Sequence, residues 1–369
     1  FDHDTERFIV LKQLLQRGTE ILTNALKKRG VDETQDVVQG DLPFSQNILD
    51  TMEILDTNQP FPGFLSMKVD GSLTSMTFLE IGSDQSNQID KLFTVSEPNI
   101  ELLVGKRISD ICKTFGMNGF ISTKGTILMG VYMIHWNVGC IICDVLRISW
   151  EDLTTELERK GLINNPDNAG IFYLIDTYFP KVLEILINFS RKAMPGNQSH
   201  TLMFESVCPN RTDIFNVNTH TELAVSYKIP LFRFLGITSG FGVDAGVFKP
   251  HCDPRLQELV VEYGLNDPLF WSDKNMTAPQ IEQLLNVDLE DVINGKMTEA
   301  QYIIKNKPNN QRRLNSYEPL DFEGFILYRL LDNGFYEYNK IKHHLYYTFH
   351  KLDSYITLGR VKDEYLMSL

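Results

Sequence analysis

The stretch that decides the fold reads Phe64-Leu-Ser-Met-Lys68-Val-Asp70-Gly71-Ser-Leu-Thr-Ser-Met-Thr-Phe78. Apolar and β-branched residues on both sides of the Asp-Gly pair predict a strand, a turn and a second strand. Lys68 stands at the end of the first predicted strand, directly before the turn. The same pattern is typical of an ordinary surface hairpin, because Asp-Gly is a common hairpin turn. The stretch alone therefore leaves both a structural and a chemical interpretation open.

The chemical interpretation makes Lys68 a nucleophile. A lysine is normally protonated, with a pKa of about 10.4, and neighbouring cations or burial must lower this pKa before the amine can attack. Lys340 and Lys342 could supply such cations, because they stand two residues apart on a predicted strand, Tyr338 to Lys342, and so share one face. An anion such as a triphosphate would offset the repulsion between them.

Two glutamates could complete a site of this kind. Glu323 precedes Gly324 at the start of another predicted strand, 17 residues before Lys340, and its carboxylate could hold Mg²⁺. Glu205 lies within the apolar run Met203 to Val207 and needs a polar partner if it faces inward. Either a ribose hydroxyl or an arginine in a structural pair would serve as that partner.

The rest of the chain mixes strands and helices without a regular βαβ alternation. This order predicts an α+β fold in which antiparallel sheets are flanked by helices. At 369 residues the chain is long enough for about two domains or one large one. Further strands are predicted at Gly119 to Thr126, within 201–235 and at Phe322 to Tyr328, and helices at 5–28, within 150–192 with a start at Pro180, at 278–304 and at 345–352.

Composition limits the possible partners and compartments. A net charge of −13 excludes binding to nucleic acid through the average charge of the chain, so any such contact needs local basic patches. The apolar stretch 127–143 is shorter than the roughly 20 residues of a membrane span, and it predicts a buried core segment. Five scattered cysteines and an N-terminus without an apolar leader favour an intracellular protein of the cytoplasm, or of the host cytoplasm if it is viral, with no membrane partner.

Taken in chain order, the motifs resemble those of the covalent nucleotidyltransferases, the superfamily of DNA ligases, RNA ligases and mRNA capping enzymes. Within that superfamily they look most like the RNA ligase 1 family, typified by the phage T4 enzyme. The motifs that carry the resemblance are Lys68-Val-Asp-Gly-Ser-Leu, Ser122-Thr-Lys124-Gly-Thr, Phe204-Glu205-Ser-Val-Cys-Pro-Asn-Arg211, Glu323-Gly-Phe-Ile and Lys340-Ile-Lys342-x-x-x-Tyr346.

The resemblance implies the nucleotidyltransferase fold and an ATP-dependent RNA ligase that works through lysyl-AMP. It makes Lys68 the nucleophile that attacks ATP. The remaining roles that it implies are phosphate binding by Lys124, Lys340 and Lys342, ribose binding by Glu205, binding of Mg²⁺ or Mn²⁺ by Glu323 and Asp70, shaping of the turn by Asp70 and Gly71, and packing on adenine by Phe232 or Phe234.

The implied substrate is RNA with 5′-phosphate and 3′-hydroxyl ends, with tRNA among the candidates, in RNA repair or processing. We expect an N-terminal helical or partial segment at 1–60, the nucleotidyltransferase domain at 61–352 with a helical insertion at about 130–200, and a tail at 353–369. The family's upstream Arg-Gly and Lys-Phe-Phe-Asn elements have no convincing counterpart here. We therefore expect a longer multidomain chain, in which end-healing domains could be fused, and the inserted helices as an RNA-binding element.

Two alternatives compete with the RNA ligase. The first is an RNA guanylyltransferase, against which stand Ser72 in place of the usual arginine and the 27 residues after Lys342, too few for an OB-fold. The second is a degenerate nucleotidyltransferase fold that acts as a binding module within a larger protein. The missing upstream basic elements and the net charge of −13 favour this second alternative.

Overall fold

The computed structural model describes residues 19–20, 63–94, 98–123, 131–163, 168–207, 231–240, 247–268, 270–271, 324–330 and 334–342. The chain divides into two compact units. One, the helix-backed unit, takes its described residues from Gly71–Thr221 and Tyr227–Pro268. The other, the lysine unit, takes them from Arg17–Asp70 and Leu269–Leu369.

The described residues form two five-stranded sheets. The lysine sheet, in the lysine unit, has the order β1-β10-β9-β2-β8, and the glutamate sheet, in the helix-backed unit, has the order β4-β3-β5-β6-β7. The strands are, in chain order, β1 (Thr19–Glu20), β2 (Gly63–Lys68), β3 (Ser72–Glu80), β4 (Met117–Thr123), β5 (Ser199–Val207), β6 (Leu231–Thr238), β7 (Phe248–Pro250), β8 (Phe270–Trp271), β9 (Gly324–Leu330) and β10 (Tyr336–Lys342).

All six helices of the described residues belong to the helix-backed unit. Four of them begin at side chains that accept a hydrogen bond from a backbone N–H of the first turn, namely Ser83, Asn99, Ser149 and Asp253. The helices are α1 (Asp84–Leu92), α2 (Ile100–Thr114), α3 (Val131–Leu146), α4 (Trp150–Arg159), α5 (Ala169–Ala193) and α6 (Pro254–Glu262).

One continuous apolar core joins five of the six described helices, α2 to α6, to one face of the glutamate sheet. From the sheet come Met76, Phe78 and Phe204, all buried. From the helices come regularly spaced apolar residues that are also buried, namely Val104 and Ile108 of α2, Ile141 of α3 and Leu174, Val182 and Leu186 of α5. Burial of these side chains stabilises the unit, because each contributes about 1.5–3 kcal/mol relative to exposure.

The predicted fold class is confirmed at the level of an α+β protein with antiparallel sheets; the parallel pair β1–β10 is the exception among the pairs described. The strands predicted around Lys68, Gly119, Glu205 and Lys340 are all present. The segments predicted as helices at 278–304 and 345–352 lie outside the described residues.

The predicted strands on both sides of the Asp-Gly pair are present, and the hairpin alternative is excluded because β2 and β3 belong to different sheets. Two other sequence predictions were wrong in detail. Pro180 lies inside α5 rather than at a helix start; the surrounding apolar stripe maintains the helix although proline cannot donate to Asp176. Within the predicted helix 5–28, the two described residues Thr19 and Glu20 form a strand that pairs with β10.

The apolar stretch 127–143 falls largely in α3, whose buried residues belong to the core, as predicted. Among the helices of the described ranges, none combines the length and the apolar character that crossing a bilayer requires.

Candidate functional site

The lysine sheet aligns two of the predicted lysines across a glycine. Lys68, the last residue of β2, stands opposite Gly324, the first residue of β9. On the other side of β9, Gly324 stands opposite Lys342 of β10. Lys68, Gly324 and Lys342 therefore form one row across three strands. A glycine within a strand often marks a place where a ligand or another backbone approaches closely.

Lys340 shares a face of this sheet with Lys68. It stands opposite Ile326, which in turn stands opposite Ser66, two residues before Lys68 on β2. Directly opposite residues project to the same face of a sheet, and residues two apart do so as well. Both lysines are half-buried. Their α-carbons are separated by two strand spacings across the sheet and two residues along the strand, about 12 Å in all, a separation that a polyphosphate could bridge.

The same face carries aromatic rings further along its strands. Tyr328 and Tyr338 stand opposite each other, with ring centroids 6.1 Å apart. Phe64 and Phe270 form an edge-to-face pair at 6.5 Å. Cationic groups beside aromatic rings suit a ligand that has both a phosphate chain and a flat base.

Of the two predicted metal ligands, Asp70 lies within the described residues and Glu323 does not. Asp70 is 8 % exposed and follows Lys68 by two residues. Glu323 and Lys124 lie outside the described residues. In the ranges that are described, no cluster of three or more His, Cys, Asp or Glu side chains could hold a metal ion. The donor chemistry of Asp70 fits Mg²⁺, which proteins often bind through one or two carboxylates while substrate phosphates supply further oxygens.

In the glutamate sheet, Gly71 lies directly against Glu205. Ser72 pairs with Ser206 and Leu73 with Glu205, so β3 begins beside the end of β5. A Cβ atom at position 71 would lie 2.6 Å from the backbone oxygen of Ser206 and 3.1 Å from Cγ of Glu205. Only glycine fits this close approach. Two predicted site residues that are 134 positions apart in the sequence are thus neighbours in the fold.

An arginine stands opposite Glu205 in the sheet. An arginine was one of the two partners that the sequence allowed for this glutamate, the other being a ribose hydroxyl. Arg233 of β6 pairs directly with Glu205 and is 1 % exposed. The sequence contained a signal for Arg233, since an arginine within the run Leu231 to Leu235 needs a partner for the same reason that Glu205 does. Arg233 lies outside the motifs from which the site is predicted.

The face of the glutamate sheet that carries Glu205 and Arg233 is rich in buried hydroxyl groups. The register places Ser75, Thr77, Ser122 and Thr201 on it, and all four are buried. Thr77 and Thr201 share a hydrogen bond of 3.1 Å between their hydroxyls. The Ser75 hydroxyl has no hydrogen-bond partner in the described part of the chain. A polar sheet face of this kind can hydrogen-bond a sugar or a base edge.

The structure speaks against adenine packing on Phe232 or Phe234. Phe232 is 2 % exposed and stacks on Phe204 with ring centroids 4.1 Å apart. Phe234 is fully buried and packs edge-to-face on Phe189 of α5. Both rings lie on the helix side of the sheet, the face opposite to Glu205. Their ring faces are already in contact with the core, so we assign them to the core.

The helices at 150–193 give little electrostatic support to RNA binding. Their described residues contain six acidic and five basic side chains. Several of the basic groups are paired, as in Lys181 with Glu184 at 2.8 Å and Lys192 with Glu262 at 2.5 Å. The predicted RNA-binding role of this segment remains a prediction, and the charge balance does not favour it.

No protein-family model matches the chain, and searches among curated proteins and solved structures find no match to it. The likeness to a family therefore rests on its motifs. Two arrangements, each within one unit, support a proposal of function: Lys68 with Lys340 in the lysine sheet, and Gly71 with Glu205 in the glutamate sheet.

Proposed function

We propose that this chain is an ATP-dependent RNA ligase that joins 5′-phosphate and 3′-hydroxyl ends through lysyl-AMP. The observation that carries the proposal is the register of the lysine sheet, in which Lys68 and Lys340 share a face and Lys342 completes a row with Lys68 across Gly324. A lysine nucleophile needs nearby cations, and this register supplies them.

In the first step, the Nζ lone pair of Lys68 attacks the α-phosphorus of ATP. A P–N bond forms, the bond to the bridging oxygen breaks, and pyrophosphate leaves with that electron pair. Lys340 and Lys342 neutralise the negative charge that develops on the phosphates, with Lys124 in the same role. Mg²⁺ or Mn²⁺, held by Asp70 and Glu323, would shield the phosphate charge when bound.

In the second and third steps, AMP passes from Lys68 to the 5′-phosphate of an RNA end, and a 3′-hydroxyl then displaces AMP to seal the strand. Throughout, Glu205 accepts a hydrogen bond from the ribose. Gly71 lies directly against Glu205 within the helix-backed unit.

The experiment is incubation with α-labelled ATP and Mg²⁺, followed by mapping of the label. We expect label on Lys68, its loss in Lys68→Ala, and its retention in Lys181→Ala, a control in which an exposed lysine on α5 is removed. Labelled protein should then ligate RNA with 5′-phosphate and 3′-hydroxyl ends.

Other outcomes would contradict the ligase. Labelling by GTP in preference to ATP would favour an RNA guanylyltransferase. Nucleotide binding without any label on Lys68 would favour a degenerate binding module. Labelling by ATP without sealing of RNA would remove the RNA substrate from the proposal and leave only the first step.

A further inference from the structure

Arg233, in β6, buries a guanidinium group that stays charged. Its side chain is 1 % exposed, and its neighbours along the strand, Phe232 and Phe234, are buried in the core. Arginine does not lose its proton in proteins, so the group cannot become neutral on burial. A buried cation of this kind is tolerated only when carboxylates or other acceptors surround it.

Two carboxylates meet this requirement from two different elements. Asp144 of α3 places Oδ1 at 3.8 Å from Nη1 of Arg233. Glu205 stands directly opposite Arg233 in the antiparallel pair of β5 and β6. Side chains at such positions share a face, with Cβ atoms about 5 Å apart. All three residues belong to the helix-backed unit.

Asp144 is held in place by groups other than Arg233. Its Oδ2 accepts a hydrogen bond from the backbone N–H of Phe232 at 2.8 Å, and its Oδ1 accepts one from Nδ2 of Asn266. Arg147 in turn donates to Oδ1 of Asn266 at 2.6 Å. These bonds connect α3 to β6 and to the segment after α6. Asp144 is thus a fixed anchor beside Arg233, at a distance longer than a hydrogen bond.

Glu205 is the member of the group that can reach a ligand. It is half-buried, whereas Arg233 is buried and the side chain of Asp144 is 9 % exposed. Its Cγ lies beside the backbone at Gly71, where a Cβ would come within 3.1 Å. The side chain of Glu205 is therefore confined between Gly71 and the strand that carries Arg233.

We infer that Arg233 is a positioning residue, which acts through Glu205 by directing its carboxylate toward the ribose of the nucleotide, while Asp144 fixes Arg233. This inference rests on the proposed function. A guanidinium presents its donors in a fixed planar fork, whereas the ammonium of a lysine is a compact charge without that directionality. Arg233→Lys should therefore retain the charge and lose the orientation.

The test compares lysyl-AMP formation from ATP with that from 2′-deoxy-ATP and 3′-deoxy-ATP. We expect the wild-type protein to prefer ATP over at least one analogue by about tenfold or more, as a charge-assisted hydrogen bond to a hydroxyl would give. Glu205→Ala and Arg233→Lys should each lower this preference about fivefold or more, mainly through KM, and the double variant should show no greater loss than Glu205→Ala. Arg255→Lys, which changes an arginine paired with Asp253, is the matched control and should keep the preference.

Preserved ATP preference in a folded Arg233→Lys protein, or losses that multiply in the double variant, would overturn the role of Arg233. Arg233→Lys could fail to fold. A second measurement therefore keeps Arg233 and follows the NMR signal of its Nε–Hε group. This signal should shift in Glu205→Gln and on addition of ATP, and its constancy in both would overturn the inference. Absence of lysyl-AMP in the wild-type protein would instead defeat the proposed function itself.

Discussion

The two sheets of this protein differ in how they are built. One face of the glutamate sheet packs against helices in one large apolar core, and a smaller cluster joins Leu79 and Phe120 of its other face to Ile89 of α1. The lysine sheet draws its strands from residues 19–20, 63–68, 270–271, 324–330 and 336–342, and its described residues include no helix. One of its faces carries Lys68 and Lys340 together with aromatic rings.

This difference teaches that stability and the proposed chemistry are concentrated in different parts of the chain. Substitutions on the helix side of the glutamate sheet should lower the free energy of unfolding, because they remove buried apolar contacts. Substitutions of the lysines should slow adenylylation and leave the fold intact. The predictions below test this division, in order of decreasing expected effect.

Phe232→Ala should have the largest effect on stability. Removing a buried ring that stacks on Phe204 leaves a cavity, which typically costs about 3–5 kcal/mol of unfolding free energy. Urea unfolding measures this loss. The milder Phe232→Leu should remain folded, and its KM for ATP should equal the wild-type value. A raised KM for ATP in a folded Phe232→Leu protein would contradict the assignment of Phe232 to the core and would support its contact with the nucleotide.

Acid should destabilise the glutamate sheet through His200 of β5. Burial, with a smaller effect of the positive charge of Arg191, lowers the pKa of His200 from 6.5 to about 4. Between these two values the unfolded chain binds the proton and the folded chain does not. Stability is therefore fully present above pH 6.5 and falls as the pH drops toward 4, by up to about 3 kcal/mol.

The measurement is urea unfolding of the wild-type protein and of His200→Gln from pH 7.5 to pH 4. Titration of Glu and Asp residues affects both proteins alike, so it cancels in the comparison. The glutamine amide can still donate to the backbone oxygen of Asn197, which lies 3.1 Å from Nε2 of the histidine. The wild-type protein should lose more stability than the variant over this range. Equal losses would show that His200 takes up its proton as readily in the folded state as in the unfolded chain.

Local patterns in the sequence predicted the elements, whereas the pairing of distant strands had to come from the structure. The alternation around Lys68 and the apolar run around Glu205 predicted β2, β3 and β5. No local signal showed that Lys68 ends opposite Gly324, 256 residues later, because a register depends on the folding of everything between. The Asp-Gly pair also allowed a hairpin, which the structure does not contain. Turn propensity does not indicate which sheet each flanking strand joins.

The candidate site was predictable to the extent that unusual residues stand out from their surroundings. Glu205 was recognised as a charge within an apolar strand, and an arginine partner was one of the two expected outcomes. Arg233 gave the same signal, but only the register identified it as that partner. Phe232 was misassigned because a sequence does not reveal which face of a two-sided buried strand meets the core and which meets a ligand.

Lys340→Ala should separate chemistry from stability in the lysine sheet. Loss of one cation that stabilises the developing phosphate charge should slow formation of lysyl-AMP about 10- to 100-fold, while the urea midpoint changes little because the side chain is half-buried. Single-turnover labelling with α-labelled ATP measures the rate, with Lys181→Ala as the control. A large loss of stability at an unchanged rate would reverse the assignment of Lys340.

Gly71→Ala should show the smallest effect, and it tests the place where the sequence passes from one sheet to the other. The new Cβ would lie 2.6 Å from the backbone oxygen of Ser206, which cannot move as a flexible side chain would. Such overpacking costs about 1–3 kcal/mol. Gly82→Ala is the matched control, because nothing lies within 4 Å of its Cβ and only its positive φ of 86° adds a cost, about 1 kcal/mol.

Gly71→Ala should therefore lose about 1 kcal/mol more unfolding free energy than Gly82→Ala, as measured by urea unfolding. Of the two variants, only Gly71→Ala should reduce the preference for ATP over its deoxy analogues, because the added methyl group displaces Glu205. Equal losses of stability together with an unchanged nucleotide preference would mean that Gly71 does not press on Glu205, and the confinement of that carboxylate would have to be abandoned.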